Sequence, residues 1–156
     1  MELNTTITDK FKKLWIYYFL QSLLAALALL ILVLILGREK MVVVSSMGAT
    51  SFIAFAMPNA ISAKTRNILG GHLVGLACGT IFYFTNLPYY IEYPCAVGIA
   101  IFLMVALDVE HPPAAGTALA VVIKEVSPPV VVAIMTSALI LSQCRYYLRR
   151  HLKDLV

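Results

Sequence analysis

The sequence predicts an all-α membrane protein, a polytopic bundle of about six membrane segments, because of its composition and its charge-free runs. Of its 156 residues, 61% are hydrophobic and only 13% are charged, and the mean hydropathy is +0.88. A soluble domain carries about 25% charged residues, because its outer faces must be wetted. This chain has too few charged residues for such faces, so we expect a lipid bilayer to surround it.

The first segment, residues 14–36, contains no Asp, Glu, Lys or Arg. It exceeds the roughly 20 residues that a spanning helix needs. It is also too long and too rich in leucine for a signal peptide, and no small-residue cleavage site follows it. We therefore interpret it as a retained membrane helix.

Six charge-poor segments divide the chain. They are residues 14–36, 41–57, 67–87, 94–107, 112–123 and 126–144. The first, third and sixth are long enough to cross a bilayer, the second is marginal, the fourth is short and the fifth is too short. We expect one membrane domain over residues 1–156, with a first half at 14–87 and a second half at 94–148.

The two halves resemble each other in pattern. Gly48-Ala49-Thr50-Ser51 opens the short segment of the first half, and Ala115-Gly116-Thr117-Ala118 opens that of the second. Each short segment has one segment before it and one after it. Three crossings in each half would insert the two copies with opposite orientation, so we expect an inverted repeat of the kind found in transporters.

Basic residues at both ends of the chain predict the orientation. Cytoplasmic ends of membrane segments carry an excess of Lys and Arg, so we expect both termini in the cytoplasm of a multi-pass protein of the cell membrane. Six crossings place most basic residues inside. The terminal residues behind this prediction are Lys10, Lys12, Lys13, Arg145, Arg149, Arg150 and Lys153, and those placed outside are Arg38, Lys40 and Lys124.

The sequence offers little support for cofactors or catalysis. Cys78, Cys95 and Cys144 have neither the CxxC spacing nor a metal-ligand spacing, so we expect free thiols and no cofactor or metal. No nucleophile–base pair, phosphate loop or paired carboxylates point to an enzyme. We expect no nucleic-acid partner.

The most informative motif is His111-Pro112-Pro113, which stands at the start of the short fifth segment. Ionisable groups at the edge of a membrane segment usually mark a functional pathway. Proline is tolerated in the first turn of a helix, so Pro112 and Pro113 predict a helix N-terminus there. Small or polar residues follow in the first turns of this helix, namely Ala114, Gly116 and Thr117.

A second helix N-terminus is expected at Ser45, Ser46 and Gly48 in the first half. Helix N-termini present unpaired N–H groups and a partial positive charge, which suit an anion. Two such ends facing each other would bind a small anion without fixed lysines. The alternative is that both are ordinary helix starts at the bilayer surface.

Gly71, Gly75 and Gly79 recur every four residues on one face of the third segment. This spacing favours close helix packing, with pore lining as the alternative. His72 lies beside that face. It is either a structural histidine held by one interhelical hydrogen bond or a residue of the pathway that relays a proton.

Charged residues flank the motif on the predicted cytoplasmic side. Asp108 and Glu110 could pair with Lys64 or Arg66 as ordinary loop charges, or Glu110 could form a proton-handling pair with His111. Either arrangement would make this loop, together with Asn67, the vestibule of a pathway.

At these residues the chain resembles the HPP family of integral membrane proteins. The first matching stretches are Ser46-Met47-Gly48-Ala49-Thr50 and Phe55-Ala56-Met57-Pro58. The next is residues 66–72, which run from Arg-Asn to Gly-Gly-His, and the last is residues 111–119, which begin with His-Pro-Pro-Ala. Plant plastid and cyanobacterial members of the family are described as nitrite transporters. The resemblance implies a transporter or channel for a small solute, with nitrite as the leading candidate.

Two departures from the family pattern stand out. Lys64-Thr65 replaces a common Gln-Pro, and Glu110 precedes the motif histidine where an acidic residue is unusual. A carboxylate beside the site disfavours an anion at neutral pH. The resemblance carries the family's motif residues onto Arg66, Asn67, Gly71, His72 and, in the second half, His111-Pro112-Pro113.

We therefore expect a channel or transporter for a small inorganic anion, most simply nitrite, with or without a proton. Alternatives are a channel for another small solute and a membrane sensor or scaffold that transports nothing. A further version uses His72 and His111 as ligands of haem or a metal, although two isolated histidines are a weak signal. The small size predicts a homo-oligomer packed through glycine-rich faces.

Overall fold

The computed structural model describes residues 7–36, 41–123 and 127–156, and every regular element in these ranges is helical. Arg38, Lys40 and Lys124, which the predicted orientation places outside the cell, lie outside these described ranges. The elements in chain order are α1 (Ile7–Leu36), α2 (Met41–Ala56), a 3-10 helix (Ile61–Ala63), α3 (Thr65–Tyr83), α4 (Tyr89–Ala106), α5 (Pro113–Ile123) and α6 (Pro128–Leu148).

Three helices in the described ranges are long and apolar enough to cross a membrane. They are Lys12–Leu34 within α1, with 23 residues, Tyr89–Ala106, with 18, and Pro128–Leu148, with 21. Helix α5 has 11 residues and so extends for only about 16 Å, half of the hydrocarbon thickness. The prediction of an all-helical membrane bundle with short members is confirmed.

The third and fourth segments differ from their predicted extents. Helix α3 ends at Tyr83, and α4 begins at Tyr89, five residues before the proline that was expected to start it. Pro94 lies inside α4, in the second turn, where it removes one helical N–H bond. The first turn before it is closed by the Pro88 carbonyl, which accepts bonds from Ile91 and Glu92 at 2.8 and 3.0 Å. The fourth segment is therefore a full-length span, whereas α3 is not among the three spans.

Helix α5 lies at the centre of the bundle, where it packs on α2, α3 and α4. Its most extensive partner is α3, and most of its residues are buried. An apolar cluster that includes Leu32, Phe55 and Ile134 joins α1, α2 and α6 to α3 and α5. Large apolar side chains on the outside, such as Leu34 and Phe102, are 75% and 68% exposed, as expected for a lipid-facing surface.

The glycine face of α3 lies directly against α5. A Cβ atom at Gly71 would approach the Cβ of His111 to 2.6 Å, and one at Gly79 would approach the Ala118 carbonyl oxygen to 2.6 Å. Gly75 faces the backbone of Ala114 just as closely. Because α5 covers this face within the chain, two copies could not meet through it.

The C-terminal end of α2 is capped by α1 and by the C-terminal tail. Gln21 donates to the Phe55 carbonyl and to the Lys153 carbonyl, and accepts from the Lys153 N–H at 2.9 Å. The Leu155 N–H donates to the Ala56 carbonyl at 3.0 Å. The next two carbonyls, of Met57 and Pro58, accept bonds from Ala60 and Arg145. These contacts satisfy the carbonyls that a helix end leaves unpaired.

Candidate functional site

Two buried histidines meet where α3 and the start of α5 come together. His72 and His111 are 0% and 1% exposed, and their ring centroids lie 5.0 Å apart at an interplanar angle of 63°. His72 is in the second turn of α3, about 10 Å along the helix from its start. Gly71 makes the approach possible, because any side chain there would collide with His111.

Thr50 of α2 bridges the two rings. Its Oγ1 lies 3.0 Å from Nε2 of His72 and 3.1 Å from Nε2 of His111. The same hydroxyl donates to the carbonyl of Ser46, one turn earlier in α2, at 3.1 Å. Thr50 is completely buried, so no solvent competes for its hydroxyl. The bridge therefore joins α2, α3 and the loop before α5 through one oxygen.

The hydrogen-bonded chain continues on the far sides of both rings. Nδ1 of His72 lies 2.8 Å from Thr117 Oγ1, and that oxygen lies 2.8 Å from Ser46 Oγ. Ser46 donates to the Pro113 carbonyl at 2.8 Å. At the other end, Nδ1 of His111 donates to the Ser62 carbonyl at 2.7 Å. A continuous chain thus runs from the Ser62 carbonyl to the Pro113 carbonyl.

This chain is one proton short when both histidines are neutral. Five groups, two imidazoles and three hydroxyls, lie between two carbonyls that can only accept, and each neutral group donates one proton. The five protons serve six contacts, so two lone pairs face each other in one contact. One imidazolium, which donates from both nitrogens, removes this conflict along the chain once the Thr50 hydroxyl turns its proton from the Ser46 carbonyl to a ring nitrogen.

Two cavities flank the chain. A groove of about 600 Å³ between α2 and α5 is lined by Ser45, Ser46 and Gly116 among mostly apolar residues. A smaller cavity of about 250 Å³ is lined by Glu110 and His111 together with α4 and α5 side chains. The hydrogen-bonded chain therefore reaches the groove at Ser46 and the smaller cavity at His111.

The predicted anion cradle of two helix N-termini is wrong. Helix α2 begins at Met41, so Ser45, Ser46 and Gly48 lie inside it, where backbone N–H groups are used by the helix. Helix α5 does begin at Pro113, but its first N–H groups are occupied as well. Those of Ala114 and Ala115 donate to the carbonyls of His111 and Pro112 at 2.8 and 3.1 Å.

The charged loop forms an exposed ion pair beside the site. Arg66 contacts the Asp108 carboxylate at 2.7 Å, with the two side chains 62% and 73% exposed, and donates to the Leu107 carbonyl at 3.2 Å. Asn67 donates to the Glu110 carbonyl at 3.2 Å. The expected pairing of a loop carboxylate with Arg66 agrees with this geometry. Lys64 instead caps the start of α3 with its backbone.

The expected pair between Glu110 and His111 does not form. Both ring nitrogens of His111 already have partners, the Ser62 carbonyl and the Thr50 hydroxyl. The Glu110 side chain instead lines the smaller cavity next to the ring. The described residues contain no group of three or more His, Cys, Asp or Glu side chains that could hold a metal ion.

Sequence reasoning missed Thr50 and Ser62 as members of the site. The signal for Thr50 was present in the sequence. In the short segment of each half, two small residues are followed by a threonine, and Thr117 was identified from the second half. Ser62 contributes only its carbonyl, from the 3-10 helix. No side-chain pattern can reveal such a contact.

Comparison with known proteins decides the family. The model of the HPP transmembrane region matches residues 9–152 of this chain. The chain belongs to the HPP family of transmembrane proteins. A transmembrane protein of Dictyostelium discoideum is 31% identical over 100 residues, covering 58% of this chain and 35% of that relative, so the chain spans much less than the relative's full length. No solved structure matches the chain.

Proposed function

We propose that this HPP protein passes a small inorganic anion across the membrane, with nitrite as the leading candidate, together with a proton. The observation that carries the proposal is the buried chain of two histidines and three hydroxyls between two cavities. Burying so many polar groups in an apolar bundle is costly unless each is paired, and intramembrane histidines usually mark a pathway. Nitrite itself rests on the resemblance to transporting members of the family.

The proton supplies the charge that an anion needs. No N–H cradle is open at the start of α5, and α2 and α5 contain no Lys or Arg in their described lengths. An added proton on His72 places a positive charge two hydrogen bonds from Ser46, which lines the groove. In a medium of low dielectric constant such a charge attracts an anion far more strongly than it does in water.

We also propose that the halves are inverted repeats. Thr50 and Thr117, which occupy equivalent positions in the two short segments, contact opposite nitrogens of the same ring, His72. Ser46 and Pro113, four residues before each threonine, are hydrogen-bonded to each other. Contacts between equivalent positions are expected where a two-fold axis relates two repeats, and transporter sites lie at such repeat interfaces.

Orientation and assembly complete the proposal. We place both termini in the cytoplasm, so that Lys64, the Arg66–Asp108 pair and Glu110 lie at the cytoplasmic entrance. A homo-oligomer would have to use surfaces other than the glycine face of α3, which α5 covers.

The test is nitrite uptake into proteoliposomes that contain purified protein and a pH-sensitive dye. We expect saturable nitrite entry with acidification of the lumen, after the leak of nitrous acid into empty liposomes is subtracted. His111→Ala should abolish most of this entry, because it breaks the chain at both Thr50 and Ser62. His151→Ala, which changes an exposed histidine of the C-terminal tail, is the matched control and should transport normally.

The contrary outcomes are equally clear. Normal uptake by folded His111→Ala would remove the buried chain from the pathway. Absence of nitrite, nitrate, formate and chloride flux in wild-type protein would contradict the transport proposal and favour a membrane sensor or scaffold. Saturable entry of a neutral solute instead would retain a channel and reject the anion.

A further inference from the structure

We propose that His72 and His111 form one binding site for a single excess proton, which the hydroxyl of Thr50 relays between the two rings. The inference deepens the proposed function and rests on it for its role in transport. The site itself, however, can be tested without any transported solute. Its evidence is the geometry of the chain between the Ser62 and Pro113 carbonyls.

The ends of the chain fix the direction of donation. Carbonyl oxygens only accept, so His111 Nδ1 must carry a proton towards Ser62, and Ser46 must donate towards Pro113. Donation therefore runs outwards from some interior point. At that point one group must donate in both directions, and of the five interior groups only a protonated imidazole can do so.

Two arrangements satisfy all six contacts between the Ser62 and Pro113 carbonyls, and in both the Thr50 hydroxyl turns its proton from the Ser46 carbonyl to a ring nitrogen. In the first, His111 is the imidazolium and donates to Thr50, which donates to Nε2 of His72, which in turn donates from Nδ1 to Thr117. In the second, His72 is the imidazolium and donates to both threonines, while Thr50 donates to Nε2 of His111. In both, Thr117 donates to Ser46.

The two arrangements interconvert by two short proton transfers. The proton on Nε2 of His111 moves to Thr50 Oγ1 over 3.1 Å, while the Thr50 proton moves to Nε2 of His72 over 3.0 Å. One N–H and one O–H bond break and one of each forms, so the total charge stays at one. Thr50 is the obligatory intermediate, because it is the group that contacts both Nε2 atoms.

Few charges surround the pair. The described lengths of α2 and α5 contain no charged side chain. Glu110 lines the cavity beside His111. Other charged side chains in the described part of the packed elements are Lys64 and Arg66 at the start of α3, Asp108 in the loop, which pairs with Arg66, Glu92 near the start of α4, and Arg145 on α6, which donates to Pro58. The buried thiol of Cys78 also lies on α3.

Nuclear magnetic resonance of protein labelled with ¹⁵N-histidine in nanodiscs tests the proposal. Imidazole nitrogen shifts report whether each nitrogen carries a proton, and the exposed His151 serves as an internal reference. As the pH falls, we expect the pair to take up one proton in total. The shifts of His72 and His111 should move together with one midpoint.

Substitutions at Thr50 separate relay from packing. Thr50→Val keeps the shape of the side chain and removes the hydroxyl, so the two rings should lose their common midpoint. We expect the two titration midpoints to differ by about one pH unit or more, which is a tenfold difference in proton affinity. Thr50→Ser keeps the hydroxyl and should behave as wild type. Thr136→Val is the matched control, because that hydroxyl bonds only to carbonyls of its own helix.

Uptake of two independent protons, uptake of none, or a common midpoint that survives in Thr50→Val would each overturn the proposal. If Thr50→Val does not fold, independent titration of the rings in wild type or in Thr50→Ser still contradicts it. A shared proton in protein that carries no nitrite would retain this site and reject only the proposed substrate. Nitrite flux in protein whose two rings titrate independently would reject this site and retain the proposed substrate.

Discussion

Replacing Gly75 by alanine tests the packing of α3 on α5, which positions His72. A Cβ atom there would overlap the carbonyl oxygen of Ala114 and lie 3.4 Å from the amide nitrogen of Ala118. Both are backbone atoms, which cannot rotate away as a side-chain end can. Overpacking costs about 1–3 kcal/mol, and we expect the upper end, about 3 kcal/mol, because one helix must move as a whole.

Gly98→Ala is the matched control. Gly98 lies in α4, and no atom lies within 4 Å of a Cβ built there. Alanine removes conformational freedom from the unfolded chain at a position whose backbone it tolerates, so we expect no loss and a gain of up to about 1 kcal/mol. The two substitutions are chemically identical, and their difference isolates the contact between α3 and α5.

Reversible unfolding in mixed micelles, followed by far-ultraviolet circular dichroism, gives the free energy of unfolding for both variants. We expect Gly75→Ala to be less stable than Gly98→Ala by about 3–4 kcal/mol. Gly75→Leu should prevent a stable fold altogether. Equal stabilities of the two alanine variants would refute the close approach of α3 and α5.

Two further predictions concern contacts outside the histidine chain. Gln21→Ala should lower the free energy of unfolding by about 1–3 kcal/mol, because it leaves the Phe55 carbonyl without its side-chain donor and releases Lys153. Limited proteolysis should then cut the C-terminal tail sooner than in wild type. A tail cut at the wild-type rate would contradict that capping role. Asp108→Asn should change stability by less than about 1 kcal/mol, because its ion pair with Arg66 is exposed. A larger loss in the same unfolding assay would show that the pair has a structural role.

Local chemistry was sufficient to predict the start of α5. Proline fits the first turn of a helix, and the helix begins at Pro113. The same kind of reasoning failed at Ser45 and Ser46, where serines suggested a helix start. The apolar residues before them allow α2 to begin at Met41, and a helix interior accommodates a serine that finds a partner, as Ser46 does on Pro113.

The site could be predicted only as far as its side chains carry a local signal. His72 and His111 stand out because histidine is rare in apolar segments, but their distances from Thr50 depend on how α2 crosses the pair. That crossing is set by the covered glycine face and by α5, which are long-range contacts. The sequence therefore predicts which residues matter and leaves open which of them touch.

Nitrite uptake by proteoliposomes carrying Thr50→Val and Thr50→Ser tests the central claim most directly. The claim is that a proton held by His72 and His111 accompanies the anion. We predict that the serine variant transports nitrite and acidifies the lumen at close to the wild-type rate, whereas the valine variant loses most of both. Nitrite uptake by folded Thr50→Val at the wild-type rate would contradict the account.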